Sequence, residues 1–306
     1  MQHMPSRPGL NLRRALLRLT AGLLLPAWAA GAAHAQTVTD DSGRTLVLTR
    51  PAQRIVSLAP HITELLFSAG AGAQVVGVIE FSDYPAAARR LPRIGGASGL
   101  DLERIAALKP DLVIAWSSGN STAQVERIES LGIPVYRSEP ATLEDVARSV
   151  ERFGQLSGHA DLARQVAGDF RGRIARLRQT YAQRIPVKVF YQVWPQPLMT
   201  VGGPHVITDV LNLCGGRNIF SSLLSPGPTV STEAVLAAAP RLIVGGAAEG
   251  GDAASLAIWK RWPSLPAIKH QGLLVLDAAL ITRHTVRIAE GAEQLCRAID
   301  AARAAP

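Results

Sequence analysis

Beyond Gln36 the chain alternates between short apolar runs and longer stretches whose apolar residues recur every three or four positions. The first pattern marks a buried strand and the second an amphipathic helix. Arg54-Ile-Val-Ser-Leu58 predicts a strand, His61 to Ala69 a helix closed by Gly70, and Val75 to Val78 another strand. Leu112 to Trp116 (strand), Ser121 to Leu131 (helix), Val135-Tyr136 (strand) and Leu143 to Leu156 (helix) continue the series. Strands alternating with helices of this length predict a parallel, doubly wound sheet. Ahead of them, Thr37-Val-Thr39 and Thr45 to Leu48 flank Asp40-Asp-Ser-Gly43 and read as a hairpin.

His159 to Arg184 breaks this rhythm. Leu162, Val166, Phe170, Ile174, Leu177 and Tyr181 form an apolar stripe with charges between them and no internal breaker. That predicts one long amphipathic helix, a rigid strut halfway along the chain. The alternation then resumes. Val187 to Val193 predicts a strand, Val206 to Leu213 a helix ended by Gly215-Gly216, and Ser255 to Trp262 a further helix. Leu273 to Leu276 predicts a strand, and Arg287 to Ala302 a last helix.

Two stretches on either side of the strut are near copies. Asp101-Leu-Glu-Arg-Ile-Ala-Ala-Leu-Lys-Pro-Asp-Leu-Val-Ile114 aligns with Ser231-Thr-Glu-Ala-Val-Leu-Ala-Ala-Ala-Pro-Arg-Leu-Ile-Val244. Each reads as an N-cap, a short helix closed near a proline, and an apolar strand. A weaker echo relates Thr63-Glu-Leu-Leu66 to Thr208-Asp-Val-Leu211. A unit repeated once at this separation predicts two lobes built alike. The boundaries expected are residues 36–157 for the first lobe, 158–185 for the connecting helix and 186–306 for the second lobe. A cleft between lobes is where a ligand sits.

The first 35 residues read as an export signal. Arg13, Arg14 and Arg18 precede an apolar stretch from Leu19 to Ala30, and Ala33-His34-Ala35 offers a cleavage site before Gln36. Asn11-Leu-Arg-Arg-Ala-Leu-Leu17 matches a twin-arginine signal only in part. Removing four arginines and no acids lowers the formal net charge from +8 to +4, so no nucleic-acid partner is expected. In an oxidising compartment an even cysteine count favours a Cys214–Cys296 disulfide over two buried thiols.

Catalytic patterns are missing. Gly95-Gly-Ala-Ser-Gly99 has the wrong spacing for a nucleophile elbow, and Gly70-Ala-Gly72 follows a helix instead of a strand. His61, His159, His205, His270 and His284 show no metal-ligand spacing, and each reads as a surface or loop histidine. Binding without chemistry, metal or resident cofactor is the expectation.

Several phrases together carry a family resemblance. Thr37-Val-Thr-Asp-Asp-Ser-Gly-Arg44, Arg54-Ile-Val-Ser-Leu-Ala-Pro60 and Thr63-Glu64-Leu65 resemble the periplasmic substrate-binding proteins of iron–siderophore, haem and vitamin B12 ABC importers. Ser82-Asp-Tyr-Pro85, Leu108 to Trp116, Cys214-Gly-Gly216 with Asn218-Ile-Phe220, and Gln294-Leu-Cys296 are most similar to the cobalamin branch. The resemblance implies an α/β fold of two Rossmann-like lobes joined by one long rigid helix. It also implies a monomer that captures a corrinoid between the lobes and delivers it to a dimeric permease. Haem or an iron–siderophore is the alternative ligand.

The implied ligand contacts are Phe81, Tyr84 and Pro85 in the first lobe, with Trp194, Met199 and the run Ala279, Leu280, Ile281, Thr282 and Arg283 in the second. Aromatic walls and a thioether suit a large, weakly polar ring. Trp194, between a strand and two prolines, is expected to be exposed. For haem, Tyr84 with His205 or His284 would be the axial candidates. Glu103 and Glu233, in the two repeat helices, match the acids with which such proteins dock on the permease. This chain departs from the pattern at Ala97 and Gly227, where related cobalamin binders carry tryptophan.

Overall fold

The computed structural model describes residues 36–96, 99–247 and 254–304. The segment read as an export signal, residues 1–35, lies outside the described residues, as does Ala97. Two four-stranded sheets organise the rest. Across the first sheet the order is Val75–Val78, Ile55–Ser57, Leu112–Trp116, Val135–Ser138. Across the second it is Gly216–Asn218, Val187–Gln192, Leu242–Ala247, Leu273–Asp277. Every pairing in both sheets is parallel. Counted in chain order within each lobe, both sheets run second, first, third, fourth. The topology is therefore duplicated along with the sequence.

Parallel strands covered on both faces need apolar residues at successive positions. Ile55, Val56, Leu112, Val113 and Ile114 are fully buried, as are Val189, Phe190, Ile243 and Val244. Alternate residues feed different cores. Val56 and Val113 face an outer cluster in the first lobe, and Phe190 and Ile243 face one in the second. Ile55, Leu112 and Ile114 instead join Val189, Tyr191 and Val244 in a single apolar core continuous through both lobes.

The repeat units match in backbone as well as in sequence. Their helices are Leu102–Ala107 and Thr232–Ala238. The Asp101 side chain accepts from the Arg104 N–H, and Ser231 accepts from the Ala234 N–H. Each helix ends at a non-glycine residue with positive φ, Lys109 at 46° and Ala239 at 49°, and a proline follows. Left-handed backbone at a residue with a β-carbon costs roughly 1–2 kcal/mol. Packing holds the same turn in both lobes.

The strut is the helix Ala160–Tyr181, but its buried face differs from the expected stripe. Ala163, Ala167, Phe170 and Ile174 are buried, whereas Leu162 is exposed and Val166 half-buried. The cause is close contact with the helix Leu143–Ser157: a β-carbon on Gly154 would stand 2.1 Å from the Ala163 methyl. Alanine at 163 and 167 lets the two helices approach, and the larger side chains turn outward. The Leu143–Ser157 helix is itself firmly set, by a Thr142–Asp145 capping box and Gly158 at its left-handed end.

Between Ser255 and Trp262 the expected helix is only a short turn, Ala254–Ala257, followed by a 3₁₀ segment over Ile258–Arg261. The last helix runs Ile288–Ala304. Cys296 within it is disulfide-bonded to Cys214, which caps the helix Val206–Leu213.

Candidate functional site

In open parallel sheets, ligands bind beyond the carboxyl ends of the strands, where the strand order reverses. Trp116 ends a central strand of the first sheet, and Val193 follows Gln192 at the end of one in the second. Both border a chamber of about 350 Å³ between the lobes, the inner chamber. Glu139 and Ser118 wall it from the first lobe, with Met199, His205, Gly227 and His284 from the second. A second chamber of about 400 Å³ is bounded by Phe81, Asp83 and Tyr84 on one side and by Ala279, Thr282, Arg283 and Arg287 on the other.

An ionic latch crosses between the lobes at the second chamber. Arg283 Nη1 donates to Glu64 Oε1 at 2.6 Å and to Asp83 Oδ1 at 2.6 Å, and Nη2 donates to the Phe81 carbonyl. Arg287 Nη1 reaches Glu64 Oε2 at 3.5 Å and lies 3.9 Å from the Tyr84 ring centroid, a cation–π contact. Glu64 is 2% exposed. Burial pushes its carboxyl up, against the pull of Arg283 and Arg287. The hydrogen bond from Arg283 holds the Asp83 carboxyl below its usual range. Removing one member of such a pair would strand a charge at the seam.

The latch also sets Phe81, whose φ of 61° is unusual for an aromatic residue. With its carbonyl held by Arg283, the ring projects outward and is 73% exposed. Backbone strain combined with an exposed ring marks a ligand-contact position more readily than a packing one.

The sequence-predicted ligand residues separate into groups. Phe81, Tyr84, Ala279, Thr282 and Arg283 meet at one chamber, and Met199 faces the other. Pro85 is half-buried behind Tyr84, joined to it by a cis peptide bond. Trp194 is 59% exposed in a short ribbon paired with Met199, its Nε1 donating to the Gln196 carbonyl. Leu280 is half-buried, and Ile281 is buried in the shared core, facing away from the cleft. Glu103 and Glu233 are both exposed in the first turns of their helices.

The expectation of surface or loop histidines fails for two of the five. His61 and His284 are buried, and His205, half-buried like His159 and His270, meets them across the seam. The His61 and His284 ring centroids are 5.3 Å apart, those of His205 and His284 5.4 Å, and Trp116 lies edge-on to His61 at 5.2 Å. Tertiary folding assembles them from distant positions, so their spacing along the chain gave no sign of it. Glu64 was more legible: a carboxylate amid the apolar helix His-Ile-Thr-Glu-Leu-Leu-Phe calls for a buried cation. Among the described residues no cluster of His, Cys, Asp and Glu is placed to hold a metal ion.

Desolvation lowers His61 to about 3, with Arg283 adding to the effect, and His205 to about 4. It also takes His284 well below its ordinary value, and the neighbouring His61 and His205 add to this. Between these values and about 6.5 the native state binds fewer protons than the unfolded chain, so stability is lost as pH falls through that window. Three such groups cost together about 4 kcal/mol on going from pH 7.5 to 5.5. Urea denaturation at the two pH values measures this. Equal stability at both would show that the histidines are not held neutral.

Two α/β lobes around a cleft that both of them line define a binding protein of the bilobal kind. Residues 55–280 match the periplasmic binding protein family, and the chain belongs to that family. It is a family of binding proteins, not of enzymes. The chain is 37% identical over 254 residues to the vitamin B12-binding protein of Vibrio campbellii, spanning 83% of this chain and 91% of that one. The crystal structure of the periplasmic vitamin B12 binding protein BtuF of Vibrio cholerae superposes with a TM-score of 0.76 at 36% identity, covering 83% of this chain and 99% of that one. The periplasmic heme-binding protein RhuT from Roseiflexus sp. RS-1 gives 0.71 at 25% identity, covering 82% and 99%.

Proposed function

We propose that this protein captures cobalamin or a related corrinoid in the interlobe cleft and delivers it to an ABC permease of the inner membrane. The observation that carries this reading is the cleft itself. Exposed Phe81 and Tyr84 stand on one lobe opposite Ala279 and Thr282 on the other, and Met199, with Trp194 beside it, borders the neighbouring chamber. Flat rings and a thioether offer adaptable contact to a large, weakly polar disc. The likeness to vitamin B12-binding relatives over most of the chain supports the same ligand class.

The remaining parts of the reading follow from that role. Residues 1–35 direct export and are removed near Ala35-Gln36, leaving a monomer in the periplasm. Residues 36–157 and 186–306 act as the lobes and 158–185 as their connection. Glu103 and Glu233 dock on a dimeric permease, one acid per lobe. Haem is the second reading, favoured by the imidazoles of the inner chamber. A visible spectrum of the protein purified after mixing with cyanocobalamin or haemin separates the two. A retained corrinoid spectrum is expected, and a Soret band alone would replace cobalamin with haem.

A further inference from the structure

His284 is 6% exposed and lines the inner chamber, yet neither of its ring nitrogens has a hydrogen-bond partner among the described residues. Its Nδ1 is wholly enclosed, and the His61 ring behind it likewise has a buried, unpartnered Nε2. A polar atom buried without a partner is destabilising and rare in native proteins. His284 Nδ1 is out of a ligand's reach, so the nitrogen left for a partner arriving with the ligand is Nε2, on the ring edge that is not enclosed.

His205 fixes the polarity of that wall. Its Nδ1 accepts from the Ile207 N–H at 3.1 Å, capping the helix Val206–Leu213. A neutral imidazole that accepts at Nδ1 carries its proton on Nε2. That Nε2–H makes no bond within the described residues and remains a free donor. Other polar groups around the chamber are committed. Glu139 accepts from Trp116 Nε1 and from the Ser118 N–H and hydroxyl, and Thr200 donates to the Tyr191 carbonyl. Gly227, whose missing side chain would point toward Met199, keeps the chamber open.

We propose that His205 and His284 form a neutral hydrogen-bonding wall that receives an uncharged carboxamide arm of the ligand in the inner chamber. The inference rests on the corrinoid reading above, since a corrin rim bears amides. A carboxamide supplies what the wall lacks: its oxygen accepts from His205 Nε2–H and its NH₂ donates to the His284 Nε2 lone pair, the enclosed Nδ1 carrying the imidazole proton. A carboxylate fits poorly. It has no donor, and it would meet the Glu139 charge in a partly desolvated space. The neighbouring cations Arg283 and Arg287 are already matched by Glu64 and Asp83. Desolvation keeps both imidazoles uncharged at neutral pH.

Two substitutions remove the bonding groups while sparing the fold. His284→Phe keeps a flat ring and eliminates the stranded nitrogens. His205→Asn keeps a cap acceptor for Ile207 and loses the donor into the chamber. Titration of each variant with cyanocobalamin at pH 7.5 is expected to show affinity weakened about tenfold, with the thermal midpoint of His284→Phe equal to or above that of the parent. The parent protein should also bind at least one of the monocarboxylic acids made by hydrolysing a single propionamide of cyanocobalamin about tenfold more weakly than the parent vitamin. That preference should disappear in His284→Phe. Undiminished cyanocobalamin binding by both variants, or equal binding of every acid derivative, would overturn the inference and leave the corrinoid reading intact. Failure of the parent protein to bind cyanocobalamin would remove both.

Discussion

Reversing the two acids together, Glu103→Arg with Glu233→Arg, is expected to reduce uptake of labelled corrinoid to background while affinity in solution stays within about twofold. Both carboxylates are exposed, and they occupy the same place in helices that share a cap, a length of about two turns and a left-handed end. An acid in a first helical turn stabilises its own helix by roughly 0.3–1 kcal/mol, so reversal also costs a little stability. That loss is too small to unfold the protein, and neither residue borders either chamber. Single reversals should give intermediate uptake, because charges at a rim govern encounter and register more than total affinity. Normal uptake by the double variant would dismiss the docking assignment, and so would a parallel loss of ligand binding.

Replacing both cysteines by alanine is expected to lower stability by about 4–5 kcal/mol. Cys214 and Cys296 are 82 positions apart, and closing a loop of that size removes much of the freedom of the unfolded chain. The bond joins the end of the Val206–Leu213 helix to the last helix, and Arg303 donates to the carbonyls of Cys214 and Gly215 beside it. These contacts survive the substitution, so the protein should remain folded with a melting temperature lower by roughly 10 °C. Reducing the parent protein should reproduce the shift. A change of only a degree or two in both experiments would mean that the unfolded chain is already held compact.

Much of the architecture was legible because strand and helix periods are local properties. The alternation of Ile55-Val56 and Leu112-Val113-Ile114 with amphipathic segments identified the first sheet, and the repeat pointed to a like second one, whose edge strand Gly216–Asn218 was read only as the end of a helix. The helix expected over Ser255 to Trp262 is a short turn and a 3₁₀ segment, and two further features escaped. The long helix buries Ala163 and Ala167 because Gly154 lies against it, and a stripe of larger residues conceals a contact made through small ones. The three histidines escaped for a different reason. His61 and His205 lie at the starts of corresponding helices in the two lobes, and His284 comes from a loop near the end of the chain. Their meeting depends on how the lobes are set against each other, which no local pattern encodes. Exposure of two aromatic positions was easier to read. Phe81 follows the first lobe's strand Val75–Val78 within a few residues of Pro85, and Trp194 precedes Pro195 in a short ribbon, where a large ring has little core to enter.

The apolar core that runs through both lobes bears on how a membrane partner senses this molecule. Ile55 and Leu112 belong to the same packed body as Val189 and Val244, so the lobes cannot swing widely without parting side chains that have no exposure to water. On the docking proposed above, the tips carrying Glu103 and Glu233 would be the jaws of a caliper held near one span. A partner that grips both jaws reads a fixed gauge length. To force the lobes apart it must work against the whole core instead of a flexible joint.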